Sequence, residues 1–93
     1  MRHRSPKRAR EYVARRALVA RLLAERPVCE RCGTSRSTEV HERLSRARGG
    51  SITDPGNCVA LCHSCHAHIT VNVAQAQADG WLIHSWDNEG VQQ

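Results

Sequence analysis

The chain has 93 residues, a length that suits one domain, and its only aromatic side chains outside histidine are Tyr12, Trp81 and Trp86. A core of Val, Leu, Ile and Ala at this length is thin, which excludes a fold held by a large apolar core alone. Five cysteines offer the additional stability, and a formal net charge of +5 favours a polyanionic partner.

The positive charge lies mostly in residues 1–26, where nine basic side chains stand against Glu11 and Glu25. The rest of the chain has a small negative charge. A basic arm on a nearly neutral body predicts contact with a polyanion, for which nucleic acid is the usual candidate, although a solvated, disordered tail is the alternative. The apolar run 17–24 is interrupted by Arg21, so it predicts neither a signal peptide nor a membrane span.

The first predicted element is a long helix. Residues 1–4 are predicted to be disordered, Ser5 is a good N-cap and Pro6 suits the first helical position. The helix then runs from residue 7 to about 25 and ends before Pro27.

One stripe of this helix is predicted to face the core: Tyr12, Val19 and Leu23, with Leu22 beside them. Arginines cover much of the remaining surface. Arg8 and Arg15 are candidates for contacts with nucleic-acid phosphates, which would add salt-dependent affinity without sequence preference.

Two short strands and a second helical region are predicted downstream. The elements are a short strand around Val40 within 38–43, a loop rich in Gly, Asp, Pro and Asn at 45–57, a strand at 58–61 and a helix after Cys62 that includes 74–78. Gly80 is a natural helix stop. Residues 81–83 are predicted to fold back onto the body, and residues 87–93 to be frayed.

Two CxxC pairs form the strongest motif, Cys29 with Cys32 and Cys62 with Cys65. Four thiolates can surround a zinc ion tetrahedrally, so a structural Zn²⁺ site is predicted, with metal as a condition of folding. Disulfides and a redox CxxC are the alternatives, and either His63 or His66 could replace one cysteine. Without an export signal the expected compartment is reducing and cytoplasmic, which favours metal over disulfides.

A further set of residues lies between and beside these pairs. It consists of the VHER segment 40–43, Gly49 with Gly50, Asn57, and the ALCHSCH segment 60–66. Read in order over roughly residues 28–70, the set resembles the zinc-bearing HNH endonuclease family. The whole chain is similar to small HNH proteins carried by phages and prophages. The leftover Cys58 is most simply a small buried residue on the second strand.

The resemblance implies an α+β fold: a zinc-stapled ββα-metal domain with an N-terminal basic helix, a short C-terminal helix and a tail. The expected divisions are 1–27 for the basic arm and helix, 28–86 for the HNH domain and 87–93 for the frayed end. The implied function is metal-dependent cleavage or nicking of DNA, with a catalytic Mg²⁺, Mn²⁺ or Zn²⁺. Implied partners are DNA and phage packaging machinery, and no membrane is implied. The expected location is the cytoplasm, including that of a phage-infected host cell.

The resemblance also implies roles for individual residues. His41 falls on the position of the first catalytic metal ligand, His66 on that of the second, and Asn57 on that of an amide that braces the loop. Glu42 stands where the family most often has a histidine that acts as general base.

Three interpretations of this departure stay open. Glu42 is the base, which a carboxylate can be if its pKa is raised. Alternatively, His41 is the base and Glu42 helps to hold the metal, which needs a bulge or twist because adjacent strand residues face opposite sides. In the third, cleavage is lost and the chain is a zinc-dependent DNA-binding module. A protein-interaction zinc knuckle is a further alternative from a different class.

The loop adds three more candidates for phosphate contacts, Arg43, Arg46 and Arg48. A guanidinium group binds phosphate oxygens in a bidentate manner, although exposed loop charge is an equally simple explanation for any one of them. No aromatic residue lies among them, so stacking on bases is not predicted.

Overall fold

The computed structural model describes residues 5–83. The disorder expected for residues 1–4 and the frayed end expected at 87–93 therefore lie outside the described residues, as does Trp86 in the predicted tail.

Helix α1 spans Pro6–Glu25, close to its predicted limits. The Ser5 hydroxyl accepts a hydrogen bond from the backbone N–H of Arg8 at 3.1 Å, and Pro6 opens the helix. Since an N-cap side chain satisfies one of the free N–H groups of the first turn, these two residues define the start. Arg26 closes the helix just before Pro27.

The buried stripe of α1 differs from the predicted one. Leu18 and Leu22 are the buried residues of the helix, and they form an apolar cluster with Cys58 and partly buried Val40. The residues predicted for the stripe are only partly buried: Tyr12, Val19 and Leu23. The buried stripe is thus shifted by about one residue from the predicted one. It also includes Arg15, and because a hydrophobicity pattern assigns a charged residue to the surface, the pattern does not identify this stripe.

Arg15 lies inside the fold because backbone and side-chain acceptors surround its guanidinium group. Nη1 donates to the Ile52 carbonyl at 2.9 Å and to the Cys58 sulfur at 3.4 Å. Nη2 donates to the Val40 carbonyl at 3.1 Å and lies 3.4 Å from Glu42 Oε2. With 15% of its side chain exposed, Arg15 joins α1 to the sheet and to the loop.

We expect Arg15→Ala to lower the free energy of unfolding by about 3 kcal/mol, because it leaves two carbonyl groups and a carboxylate without their charged donor. Urea unfolding of the zinc-loaded protein measures this. The control is Arg21→Ala, since Arg21 is exposed on the same helix and pairs with Glu25 at 3.6 Å. Equal stabilities of the two variants would show that the Arg15 contacts contribute nothing.

The sheet has two short antiparallel strands, β1 at Glu39–Glu42 and β2 at Cys58–Leu61. Their register places Glu39 opposite Leu61 and Glu42 opposite Cys58. All of β2 is buried, because α1 covers one face of the sheet and the helices after β2 cover the other. Side chains of β1 therefore alternate between the α1 face and the opposite face.

The predicted C-terminal helical region consists of two helices, α2 at His63–Val71 and α3 at Val73–Asp79. The break falls at Asn72, whose backbone leaves the helical region and whose side-chain amide donates to the His68 carbonyl at 2.9 Å. The same carbonyl also accepts from the backbone N–H of Asn72 at 3.0 Å, so both donors of Asn72 close the end of α2. Gly80 ends α3 in the left-handed conformation, as its position in the sequence predicts.

The second apolar cluster lies between β2, α2 and α3. Ile69 and Ala76 are buried there with Leu61 and three of the cysteines, and Trp81 and Leu82 pack against them. Ile83 N donates to the Arg43 carbonyl at 2.9 Å, so residues 81–83 return to the end of β1. The α+β class predicted from the sequence is confirmed. None of the helices in residues 5–83 is long and apolar enough to cross a bilayer.

Candidate functional site

The four cysteines of the two CxxC pairs converge on one point. Their sulfur atoms all lie within 4.8 Å of one another, and Cys32 Sγ lies 4.0 Å from Cys62 Sγ. A disulfide needs about 2.05 Å between sulfurs, and all four cysteines are free. A tetrahedral zinc site with Zn–S bonds of about 2.3 Å separates its sulfurs by about 3.8 Å. The four thiols therefore fit zinc in number, chemistry and spacing.

In each cysteine pair, a backbone N–H group donates a hydrogen bond to one of the sulfurs. In the first, Cys32 N donates to Cys29 Sγ at 3.5 Å. In the second, Cys62 is the N-cap of α2 and its sulfur accepts from Cys65 N at 3.4 Å. Both pairs thus use the same turn, in which a backbone N–H group stabilises thiolate charge.

The protonation of these thiols depends on their surroundings. The Thr34 hydroxyl and nearby N–H groups lower the pKa of Cys32 to about 5. Burial and the neighbouring thiols raise the pKa of Cys65 to about 11, although Arg31 Nη1 donates to its sulfur at 3.4 Å. Four adjacent thiolates repel one another, and a central divalent cation would remove that penalty.

Asn57 braces the loop between the strands. Its Oδ1 accepts from Leu44 N at 2.9 Å, while Nδ2 donates to the carbonyl groups of Leu44 and Ser51 at 2.8 and 3.0 Å. Its backbone carbonyl also accepts from Arg43 N at 2.8 Å. The amide therefore holds both ends of the loop beside the last residue of β1.

The adjacent glycines of this loop are required for two different reasons. Gly49 has φ of +91°, a conformation that side chains with Cβ rarely adopt. Gly50 has ordinary φ, but a Cβ there would lie 1.8 Å from the Leu44 carbonyl oxygen and 3.0 Å from Asn57 Nδ2. The pair allows the loop to fold tightly against the residues that Asn57 holds.

His41 and His66 face each other across β1 and α2. Their ring centres are 5.2 Å apart with planes tilted by 57°. Two imidazoles that bind one cation at about 2.1 Å have ring centres roughly 5 Å apart, so the spacing suits a shared ion. His41 Nε2 donates to the Trp81 carbonyl at 3.0 Å, and its Nδ1 has no hydrogen-bond partner among residues 5–83. Burial lowers the pKa of His41, which favours the neutral ring.

Glu39 is a member of this cluster that the sequence reasoning did not identify. Its carboxylate accepts from Nδ1 of His66 and, at 2.7 Å, from Nδ1 of His63. These hydrogen bonds lower the pKa of Glu39. A carboxylate on Nδ1 leaves Nε2 of His66 as the nitrogen able to bind a metal. Strand alternation was the available signal, since Glu39 and His41 are two residues apart and share a face.

Glu42 does not join His41 and His66. It lies on the face of β1 that α1 covers, where its carboxylate pairs with Arg15. Residues adjacent on a strand point to opposite sides, so His41 and Glu42 are separated by the sheet backbone. Of the two weaker histidine candidates, His63 is 84% exposed beside Glu39, and His68 is exposed and contacts Asn72.

The five arginines predicted to contact nucleic acid differ in their surroundings. Arg15 has its donors occupied inside the fold, and Arg43 Nε donates to the Gly80 carbonyl at 2.8 Å. Arg46 Nη2 lies 2.6 Å from Glu11 Oε1 and remains partly exposed. Arg8 and Arg48 are exposed, with no side-chain hydrogen bond or ion pair to the described part of the chain. Arg8 and Arg48 are thus the most accessible of the five, and Arg43 and Arg46 are partly exposed.

Comparison with known proteins gives one match. The family description "HNH endonuclease" fits residues 29–71, just under half of the chain, a segment that includes both cysteine pairs, β1, the braced loop, β2 and α2. No curated protein and no solved structure gives a significant match. HNH proteins are generally nucleases, so the match indicates a nuclease or DNA-binding protein. Together with the paired strands, the following helix and the four converging cysteines, it identifies residues 29–71 as a domain of the HNH endonuclease family.

Proposed function

We propose that the protein is a metal-dependent endonuclease that hydrolyses phosphodiester bonds of DNA. One observation carries the proposal: His41 and His66 face each other at 5.2 Å, each with one ring nitrogen engaged by a fixed acceptor. The engaged nitrogens carry the protons, so each ring keeps a nitrogen with a lone pair. Such a pair suits a catalytic Mg²⁺, Mn²⁺ or Zn²⁺ with positions left for water and phosphate.

The residues around His41 and His66 hold the two imidazole rings in fixed orientations. The Trp81 carbonyl fixes the tautomer of His41, and Glu39 fixes that of His66. Asn57 holds the loop that follows β1, which keeps the end of the strand in place. When bound, a divalent cation would polarise the scissile phosphate and stabilise the leaving oxygen.

We assign the general base to Glu42 because it occupies the family's base position, even though its carboxylate here lies 3.4 Å from Arg15 on the face away from the histidine pair. For this role the carboxylate must take a proton from water at the end of β1, beyond the edge of the strand backbone. His41 remains the alternative base, through its unpartnered Nδ1. The two assignments predict different results when Glu42 loses its charge.

The test is nicking of supercoiled plasmid by the zinc-loaded protein in added Mg²⁺, Mn²⁺ or Zn²⁺. We expect nicking that Glu42→Gln lowers by about a hundredfold or more, within the range for a general base, and that Glu42→His restores in part. Glu25→Gln is the matched control, because Glu25 also pairs with an arginine of α1 but is exposed and lies before the HNH segment. Full activity of Glu42→Gln would assign the base to His41.

A second function is favoured by the separation of Glu42 from the histidine pair. If the carboxylate stays on the α1 face beside Arg15 and His41 does not act as the base, the protein binds DNA without cutting it. Tight, salt-sensitive DNA binding with no nicking in any metal would establish this module. Weak DNA binding even at low salt would instead favour a zinc knuckle that recognises protein.

A further inference from the structure

A polar cleft lies away from the cysteine cluster and the histidine pair, between the first turns of α1 and the short 3-10 turn Arg46–Arg48. Its volume is about 200 Å³, and it is lined by Ser5, Lys7, Arg8, Glu11 and Arg46. Three cationic side chains thus face one carboxylate. Lys7 and Arg8 are exposed and form no ion pair with any residue of the described range 5–83. The cleft therefore has an excess of positive charge without an internal partner.

Arg46 is held in place at the wall of this cleft. Its Nη2 lies 2.6 Å from Glu11 Oε1, and its guanidinium carbon lies 5.7 Å from the centre of the Tyr12 ring. Its Nη1 is buried and has no acceptor within residues 5–83. A guanidinium group that is already oriented loses little side-chain entropy when it binds an anion. Glu11 thus orients Arg46, whose side chain stays 35% exposed through atoms other than the buried Nη1.

The position of the cleft on α1 adds a second attraction for an anion. The first turn of the helix has no acidic residue, and Lys7 and Arg8 lie at the positive end of its dipole. Cations there destabilise a helix and anions stabilise it. An anion bound beside this turn would therefore be favoured both by the helix dipole and by the two cations.

We infer that this cleft binds one backbone phosphate of DNA and so forms a contact separate from the proposed reacting centre. The inference rests on the proposed function for its ligand. Arg15 touches Glu42 and lies seven residues along α1 from Arg8, which is about 10 Å of helix. That distance corresponds to about three base pairs along B-DNA at about 3.4 Å each. The contact would fix the position of the duplex relative to β1 without reading its sequence.

The test compares the DNA affinity of the zinc-loaded full chain with that of Lys7→Ala, Arg46→Ala and the double variant. Fluorescence anisotropy with a labelled duplex, without added divalent metal, gives the dissociation constant from 0.05 to 0.5 M salt. A phosphate contact contributes a slope of about −0.9 to log K against log salt. Because one phosphate is bound, we expect the slope for the double variant to be smaller in magnitude by about one unit. Lowering the salt from 1 M to 0.1 M would then strengthen binding by the double variant roughly eightfold less than binding by the wild type. The matched control Arg21→Ala, which removes an exposed charge from the same helix, should change the slope less.

The outcomes separate this inference from the proposed function. If the double variant keeps the wild-type slope, or changes it no more than Arg21→Ala, the cleft is not a phosphate site even when plasmid nicking is intact. A loss of two units would show two independent surface contacts and would also overturn the single site. The expected loss of one unit supports the cleft whether or not the protein nicks, since the measurement involves no cleavage. A wild-type protein that binds no duplex at low salt would contradict both.

Discussion

Cys62→Ser is expected to unfold the protein at room temperature. Cys62 supplies one of four sulfurs that lie within 4.8 Å of one another, and it also caps α2. Structural zinc contributes about 10–16 kcal/mol of apparent binding free energy in small metal-folded peptides. Small domains have a net stability of about 5–15 kcal/mol, so loss of tight zinc binding exceeds what the apolar clusters can offset. Circular dichroism and elemental analysis of the purified protein measure the result.

Cys58→Ala is the matched control for this loss. Cys58 is also buried and lies four residues before Cys62, but it belongs to the cluster with Leu18 and Leu22. Burial raises the pKa of its thiol, which is the behaviour of a neutral core residue. We expect this variant to keep its zinc and to fold. A native spectrum and full metal content in Cys62→Ser would refute a four-cysteine site.

His66→Ala is expected to abolish nicking while the fold persists. His66 is 31% exposed and does not belong to the set of four converging cysteines, so its removal leaves the zinc site and the apolar clusters intact. It supplies one of the two imidazoles proposed to hold the catalytic cation. Metal assistance stabilises a transition state by several kcal/mol, so the rate should fall by at least about a hundredfold. Single-turnover nicking over a series of metal concentrations measures it.

His68→Ala is the control that separates chemistry from helix stability. His68 lies on the same helix two residues later, is exposed and contacts Asn72. Both variants remove one imidazole from α2, yet only one of these rings faces His41. Nicking by His66→Ala at the rate of His68→Ala would exclude the histidine pair as the catalytic metal site.

Local patterns in the sequence were sufficient for the main helix and strand positions and for the four converging cysteines. Ser5 and Pro6 mark the start of α1, and Gly80 marks the end of α3, because caps depend on residues next to each other in the chain. The two CxxC pairs predict four converging sulfurs, since a CxxC turn can direct both of its thiols at one ion.

Long-range contacts decided which side chains face inward. Arginine is usually a surface residue, yet Arg15 is on the buried stripe of α1, because the carbonyl groups of Val40 and Ile52 accept hydrogen bonds from its guanidinium group there. A hydrophobicity pattern assigns charge to the outside and therefore selects Tyr12, Val19 and Leu23. The same limit applies to the loop arginines, of which Arg43 is used to hold the end of α3.

The sequence by itself determined the α+β class, the order of the strands and helices and the four cysteines that come together as possible zinc ligands, because these depend on spacing and on capping between near neighbours. Only the tertiary structure decided that Glu39 and His41 face α2 while Glu42 faces α1. Alternation along a strand predicts that adjacent side chains point to opposite faces of the sheet, but it does not predict which side chain faces which helix. That choice depends on how α1 and α2 pack on the two faces of the sheet, and thus on residues more than twenty positions apart in the chain.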